Sequence, residues 1–212
     1  MKVVRLEWHG KKVRVVLEGR VLDLLSETVL AQGLREGMEL EDGDVRRLLH
    51  EDQVRRAKEV AFRYLARPRT VRQVRDRLAR AGFEGEVVEE VIRRLEELGL
   101  LDDKEFAKAW VEERLRLRPR WRRALWQELA RKGISREVVE EALHEGLSGV
   151  EEYEVAEGLL RGMERRYRNL DPERALRRMQ DFLLRRGFTW EIVKEVTGAL
   201  RKEWFGDEVG GD

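Results

Sequence analysis

The sequence contains no cysteine among its 212 residues, which excludes a disulfide-stapled fold, a thiolate metal site and a cysteine nucleophile. No stretch approaches the roughly 18 consecutive apolar residues that a membrane-spanning helix requires. The first residues also lack the apolar core and the small-residue cleavage site of a secretory signal peptide. We therefore expect a cytoplasmic protein that has no membrane partner.

Motifs for catalysis are equally scarce. The three histidines, His9, His50 and His144, are scattered along the chain, and no phosphate-binding glycine loop, paired-histidine metal motif or nucleophile elbow is present. The carboxylate doublet Asp102-Asp103 would point in directions about 100° apart on a helix, so it cannot chelate a metal as a pair. We expect it to cap the helix that begins beside it. The sequence thus predicts no catalytic residues, no metal and no cofactor.

Charge, by contrast, is abundant and nearly balanced. The chain has 44 Lys+Arg against 43 Asp+Glu, and 42% of its residues are hydrophobic, which disfavours a disordered chain. Arginine supplies 35 of the basic residues. Its planar guanidinium binds phosphates and carboxylates through two hydrogen bonds, so the excess favours nucleic-acid or acidic-surface contacts. A GC-rich or heat-adapted genome is the competing explanation for it.

The first fifty residues predict a small sheet. Two β-branched runs, Val3–Trp8 and Val13–Leu17, flank a turn in which Gly10 can take a positive φ. A second turn at Gly19 leads to a third short strand, and Ser26 is placed as the N-cap of a short helix. Two or three short strands bury little alone, so we expect this region to pack on the helical part of the chain.

From about residue 44 the pattern becomes helical and repeats. Three segments that begin at Arg75, Trp126 and Gln180 align without gaps, and each carries a glycine suited to end a helix in the left-handed conformation: Gly82, Gly133 and Gly187. Ser135 and Thr189 fit the N-cap of the helix after the second and third glycines. Another helix precedes each pair, and we expect these at Gln53–Ala66, Asp102–Leu117 and Glu152–Tyr167.

The predicted fold is mainly α, with tandem three-helix repeats and a small β-rich N-terminal extension. We assign the extension to residues 1–50, the repeats to residues 51–100, 101–148 and 149–206, and a disordered tail to residues 207–212. Units of this size stack so that each contacts mainly its neighbours, which gives an extended array.

Arginines concentrate in the spacer and second helix of every repeat, whereas the third helices are rich in glutamate. Seven arginines and one acid lie between Arg63 and Arg80, and six arginines and no acid lie between Arg114 and Arg123. Such rows can bind phosphates or an acidic partner surface, and a solvated face balanced by glutamates is an equal alternative. The candidate partner- or nucleic-acid-binding residues are Arg67, Arg69, Arg72, Arg75, Arg77, Arg80, Arg114, Arg118, Arg120, Arg122, Arg123, Arg131 and Lys132.

Three motifs give the chain a resemblance to a known family. They are AFRYLAR at residues 61–67, LDDKEFA at residues 101–107 and ELARKGI at residues 128–134. In this order, over roughly residues 53–200, the sequence resembles the RecX family of RecA regulators. It departs from the family at Arg118-Pro119-Arg120-Trp121, where a glycine is usual, so the local turn there must differ.

The resemblance implies a bent array of three-helix repeats and a non-enzymatic negative regulator. Family members bind the groove of the RecA–DNA filament and inhibit ATP turnover, strand exchange and co-protease activity. We accordingly expect a RecA filament as partner, weak binding to single- or double-stranded DNA, and a monomer. The alternatives are a stand-alone helical DNA-binding protein acting through its Arg-rich helices, a helical scaffold, and a carboxylate-dependent nuclease.

Overall fold

The computed structural model describes residues 1–206, so the predicted tail at 207–212 lies outside the described residues. An antiparallel three-stranded sheet opens the chain in the order β1 (Val3–His9), β2 (Lys12–Leu17) and β3 (Arg20–Leu25). Gly10 and Gly19 occupy its two turns with φ values of 62° and 84°. The predicted hairpin, its turn glycines and the third strand are confirmed.

One face of the sheet is apolar because alternate residues of a strand point to the same side. Val13, Val15 and Leu24 are fully buried on this face, which packs against a short helix, α1 (Ser26–Ala31). The prediction that Ser26 caps α1 is wrong by one position, since Leu25 is the N-cap residue and no side chain caps the helix there. The Ser26 N–H instead donates to the Lys11 carbonyl at 3.0 Å.

The next helix, α2, runs over Asp42–Tyr64 rather than over the predicted Gln53–Ala66. Its start is fixed by a capping box in which the Asp44 carboxylate accepts from the Glu41 N–H at 2.9 Å. The sequence did not predict this early start, because the two halves of α2 face two different apolar clusters and no single apolar period runs through the helix. The first half packs on the sheet through Val45 and Leu48, and the second half supplies the first repeat with Val54, Ala57 and Ala61.

A buried carboxylate ties the sheet and α1 to α2. Asp52 is only 3% exposed and accepts three hydrogen bonds: from the Leu25 N–H at 2.6 Å, from the Thr28 hydroxyl at 2.9 Å and from the Arg56 Nε at 2.5 Å. Because every one of these donors comes from β3, α1 or α2, the three elements are held together at one point.

The first repeat consists of the second half of α2 with α3 (Val71–Arg80) and α4 (Gly85–Glu97). Thr70 and Gln73 cap α3 reciprocally, with the Gln73 N–H donating to the Thr70 hydroxyl at 3.3 Å. The chain then turns at Gly82, whose φ of 87° confirms the predicted left-handed residue. Together with the sheet, this repeat forms a compact unit that ends at Leu101.

A second compact unit begins at Asp102. Its first repeat comprises α5 (Asp103–Leu117), α6 (Arg122–Arg131) and α7 (Arg136–Gly146). The predicted caps are confirmed here: the Asp102 carboxylate accepts from the N–H groups of Lys104 and Glu105 at 2.8 and 3.0 Å, and the Ser135 hydroxyl accepts from the Val138 N–H.

The last repeat contains α8 (Glu152–Arg161), α9 (Glu164–Arg168), α10 (Pro172–Arg185) and α11 (Trp190–Phe205). The single helix predicted over Glu152–Tyr167 is therefore wrong. It breaks after Gly162, a residue of low helix propensity, and Met163 leaves helical geometry with φ −119° and ψ 14°. Thr189 does occupy the N-cap of α11, but its side chain makes no capping hydrogen bond.

These elements confirm the predicted fold class: a mainly helical chain built from three-helix repeats, preceded by a small sheet. Over residues 1–206, no helix is both long and apolar enough to cross a membrane.

Candidate partner-binding surface

The middle helix of the first repeat has two distinct faces. Val74 and Leu78 are fully buried against α2 and α4, whereas Arg72, Arg77 and Arg80 are exposed. The side chains of Arg72 and Arg77 form no hydrogen bond or ion pair with any residue that the structure describes. Arg80 donates its Nε to the Asp76 carbonyl at 3.0 Å, which leaves its charge without a carboxylate.

Two other candidates of the first repeat are engaged within the protein. Arg75 binds Glu89 of α4 through two hydrogen bonds, of 2.6 and 2.9 Å. The bond to Glu89 raises the pKa of Arg75 and lowers that of Glu89, against the opposing effect of partial burial. Arg69 lies over the Tyr64 ring, 4.4 Å from its centroid. Arg75 is thus neutralised by the glutamate-rich third helix, as the alternative of a balanced surface requires.

In the second repeat, Glu128 of α6 gathers several candidate cations. Its carboxylate accepts hydrogen bonds from Arg114 Nε at 2.8 Å and from Trp110 Nε1 at 2.9 Å. It also forms an ion pair with Arg120, whose Nε lies 3.0 Å from it. Burial would raise the pKa of Glu128, but the hydrogen bonds and positive charges around it lower the pKa below the usual glutamate value. Glu128 therefore remains charged and offsets Arg114 and Arg120.

Two tryptophans near these arginines, Trp110 and Trp121, are engaged within the protein rather than free to stack on bases. The Arg114 guanidinium and the Lys132 ammonium lie over the Trp110 ring, each 4.0 Å from its centroid. Trp121 is 7% exposed and stacks on Phe188 with centroids 5.7 Å apart. Trp121 is a core residue, as most such tryptophans are.

The thirteen candidates therefore divide into two groups. Arg122 pairs with Glu140 of α7 and joins the engaged residues described above. Exposed and without an ion pair over residues 1–206 are Arg67, Arg72, Arg77, Arg80, Arg118, Arg123 and Arg131.

Four of these seven arginines, Arg72, Arg80, Arg123 and Arg131, occupy positions that are equivalent in successive repeats. Two residues before each turn glycine stand Arg80, Arg131 and Arg185, and ten residues before it stand Arg72, Arg123 and Arg177. All six are exposed, and none forms an ion pair with another described residue. Sequence reasoning left out Arg177 and Arg185, although Arg185 lies within the gap-free alignment of the repeats and Arg177 lies three residues before the aligned segment.

Comparison with known proteins explains the repetition. Three RecX models match in order: the first three-helix domain at residues 57–95, the second at 102–143 and the third at 151–197. The chain belongs to the RecX family. Regulatory protein RecX of Streptomyces lividans is 37% identical over 163 residues, which cover 76% of this chain and 86% of the relative. That of Thermobifida fusca is 39% identical over 150 residues, which cover 68% and 80% respectively.

Solved structures share the RecX fold. A crystal structure of regulatory protein RecX superposes with a TM-score of 0.70 at 22% identity, covering 93% of this chain and 98% of the other. RecX from Lactobacillus salivarius gives a TM-score of 0.61 at 23% identity, covering 71% and 97%. Within the 118–121 segment, Trp121 is buried and the Pro119 carbonyl accepts from Arg186 Nη1 at 2.8 Å.

Proposed function

We propose that this chain is a non-enzymatic negative regulator of a RecA recombinase, acting as a cytoplasmic monomer. It binds in the groove of the RecA–DNA filament and lowers ATP turnover, strand exchange and co-protease activity. The observation that carries the proposal is the repeated pair of exposed, unpaired guanidiniums on the middle helix of each RecX domain. Repeated weak contacts made by one chain add through effective concentration.

The partner has to be polyanionic or acidic. Six exposed guanidiniums at equivalent positions suit a ligand that offers negative charge at repeated positions, as a nucleoprotein filament does through its phosphates and acidic loops. A regulator of this kind needs no catalytic centre. Across residues 1–206, no three histidine or carboxylate side chains converge in a way that could hold a metal ion.

A stand-alone DNA-binding protein is the second candidate, because the turns at Gly82 and Gly133 join two helices as a helix-turn-helix does. The sign of the charge opposes it. The helices after these turns begin with exposed acids, Glu86 in α4 and Glu137 in α7, and a negative helix N-terminus is repelled by the phosphates that line a DNA groove.

The decisive experiment measures ATP hydrolysis by RecA on single-stranded DNA while this protein is titrated in at two DNA concentrations. We expect inhibition at far less than one copy per RecA, unchanged when DNA is in excess. Inhibition that appears only near DNA saturation and is relieved by more DNA would instead favour the stand-alone DNA-binding protein.

Charge reversal then assigns the surface. The variant R72E/R77E/R80E should weaken inhibition strongly, because it inverts the exposed face of α3. The matched control R20E/R35E/R93E makes the same change of charge at exposed, unpaired arginines elsewhere in the first unit and should inhibit almost as well as the unaltered protein. Equal inhibition by the α3 variant and the unaltered protein at a low protein ratio would remove α3 from the interface.

A further inference from the structure

Two segments that are distant in sequence meet within the second unit. The Trp121 N–H donates to the Arg186 carbonyl at 2.7 Å, and Arg186 Nη1 donates to the Pro119 carbonyl at 2.8 Å. Gly187 makes the approach possible, because a Cβ at this position would lie 2.8 Å from the Ala124 Cβ and 3.0 Å from the Trp121 carbonyl oxygen. The start of α6 is thereby fixed against the end of α10.

This contact concentrates positive charge. We use the term junction cluster for five arginines on the two segments: Arg118, Arg120, Arg123, Arg185 and Arg186. Arg122 is not included because it pairs with Glu140 of α7. Arg120 has a carboxylate partner, Glu128, which it shares with Arg114. The other four form no ion pair with any residue in the described part of the chain.

Of the junction cluster, Arg186 has the surroundings in which a bound anion would be most favourable. Its guanidinium is half-buried, lies 4.4 Å from the Phe182 ring centroid and reaches one carbonyl acceptor, that of Pro119. Burial lowers the pKa of Arg186, and the positive charge of Arg120 lowers it further. A partly desolvated cation beside other cations is unfavourable unless an anion compensates it.

We infer that the junction cluster binds phosphates of a nucleic-acid backbone. Guanidiniums bind phosphate oxygens through two parallel hydrogen bonds. The positive end of the α6 dipole lies at the same place, because α6 begins at Arg122. A polymer fits better than a single ion, because the two segments that meet here carry three exposed arginines, Arg118, Arg123 and Arg185, besides half-buried Arg186, and so offer several phosphate contacts. The inference rests on the proposed function only in choosing nucleic acid as the source of the phosphate.

The test compares two variants of equal charge. R123Q/R185Q removes exposed members of the junction cluster, whereas R174Q/R178Q removes exposed, unpaired arginines from the same helix, α10. At 1.5 Å per residue, Arg174 and Arg178 lie roughly 16 and 10 Å from Arg185, towards the N-terminus of α10. Binding to a fluorescein-labelled oligothymidylate is measured by fluorescence polarisation at several salt concentrations, without RecA, and thermal melting checks that each variant folds.

We expect R123Q/R185Q to weaken binding about tenfold or more, since each lost charged hydrogen bond contributes appreciably. For R123Q/R185Q, the slope of log K against the logarithm of the salt concentration should be smaller in magnitude by about one to two than for the unaltered protein, about one for each phosphate contact removed. The control R174Q/R178Q should lose about threefold or less in affinity for the oligonucleotide, because it lowers the overall positive charge without removing a phosphate contact. Equal losses in the two variants, or no loss in either, would overturn the inference.

Two further outcomes identify another ligand. Tight, micromolar binding of pyrophosphate in calorimetry, lost in R123Q/R185Q, would assign the cluster to a small phosphate ligand and overturn the polymer. Unchanged oligonucleotide binding by R123Q/R185Q together with weaker inhibition of RecA would assign it to an acidic protein surface. DNA binding through the cluster without any effect on RecA would contradict the proposed function alone.

Discussion

The backbone N–H of Trp121 donates to the carbonyl oxygen of Arg186 at 2.7 Å, although the two residues belong to different repeats. The Trp121 side chain strengthens this connection by stacking on Phe188, with an angle of 11° between the rings. Trp121 therefore packs in the same apolar cluster as Leu183, Phe188 and Val193 of the third repeat. The second and third repeats share one core at this point.

Because of the shared core, the turn glycines Gly82 and Gly187 differ in how well they tolerate a Cβ atom. We expect Gly187→Ala to destabilise the protein more than Gly82→Ala. Both residues have a positive φ, 88° and 87°, so each substitution should cost about 1–2 kcal/mol from the left-handed conformation alone. A Cβ at residue 82 meets nothing within 4 Å, whereas one at residue 187 clashes with Ala124. That overpacking should add about 1–3 kcal/mol.

Urea denaturation of the two variants measures this difference, because the φ penalty cancels between them. Similar midpoints for Gly187→Ala and Gly82→Ala would show that the contact between α6 and the turn after α10 is loose. The anchoring of the junction cluster would then have to be abandoned.

A second prediction concerns the buried carboxylate that joins the sheet to α2. Asp52→Ala leaves the Leu25 N–H, the Thr28 hydroxyl and the Arg56 guanidinium without their acceptor. Removing one partner of a buried ion pair typically costs about 3 kcal/mol. Amide hydrogen exchange should show faster exchange at Leu25, because its hydrogen bond is lost.

Asp23→Ala is the matched control for this substitution. Asp23 also pairs with an arginine, Arg14, at 3.2 Å, but both side chains are exposed. An exposed pair contributes about 1 kcal/mol or less, so Asp23→Ala should leave exchange at Leu25 unchanged. If the two variants lose equal stability, Asp52 is not the point that holds the sheet.

Local sequence signals predicted the strands, the turn glycines and the order of the helices, because each depends on residues close in sequence. Gly82 and Asp102, for example, act within one turn of their own position. The early start of α2 depended on a second apolar cluster, which no local period reveals. The ion-pair partners of the arginines could not be predicted from local sequence either. Arg72 and Arg75 lie on the same helix, but only Arg75 pairs with a glutamate, Glu89, which belongs to the next helix.

The helix caps provide a third prediction. Asp102 and Thr189 both occupy an N-cap position, but only the Asp102 side chain accepts hydrogen bonds from the helix, those of Lys104 and Glu105. Asp102→Ala should therefore cost about 1 kcal/mol. Thr189→Ala should change stability by only a few tenths of a kcal/mol, because it removes no capping bond. Thermal melting of both variants tests the prediction, and a larger loss in Thr189→Ala would contradict the cap geometry.

The final prediction concerns pH and Glu128. The bonds from Arg114 and Trp110 hold the pKa of this carboxyl below its usual value in the folded state, despite the opposing effect of burial. A group with a depressed folded pKa stabilises the protein fully above its unfolded pKa, and that contribution is lost as the pH falls through the folded value. Glu128→Gln, which removes the charge but keeps the shape, should therefore be less stable than the unaltered protein by about 1–3 kcal/mol at pH 7.

The difference between the two proteins should stay constant down to about pH 5.5 and shrink below about pH 4.5, the range in which an unfolded glutamate becomes protonated. Arginine as a residue type does not titrate in this pH range, so the trend reports on Glu128 itself. Urea midpoints from pH 7 to pH 3 measure it, and Glu113→Gln, at an exposed residue of α5, serves as a control that should show almost no difference. If the difference in stability between the unaltered protein and Glu128→Gln stayed constant to pH 3, Glu128 would accept these hydrogen bonds equally well without its charge. Arg114 and Arg120 would then not be neutralised by it.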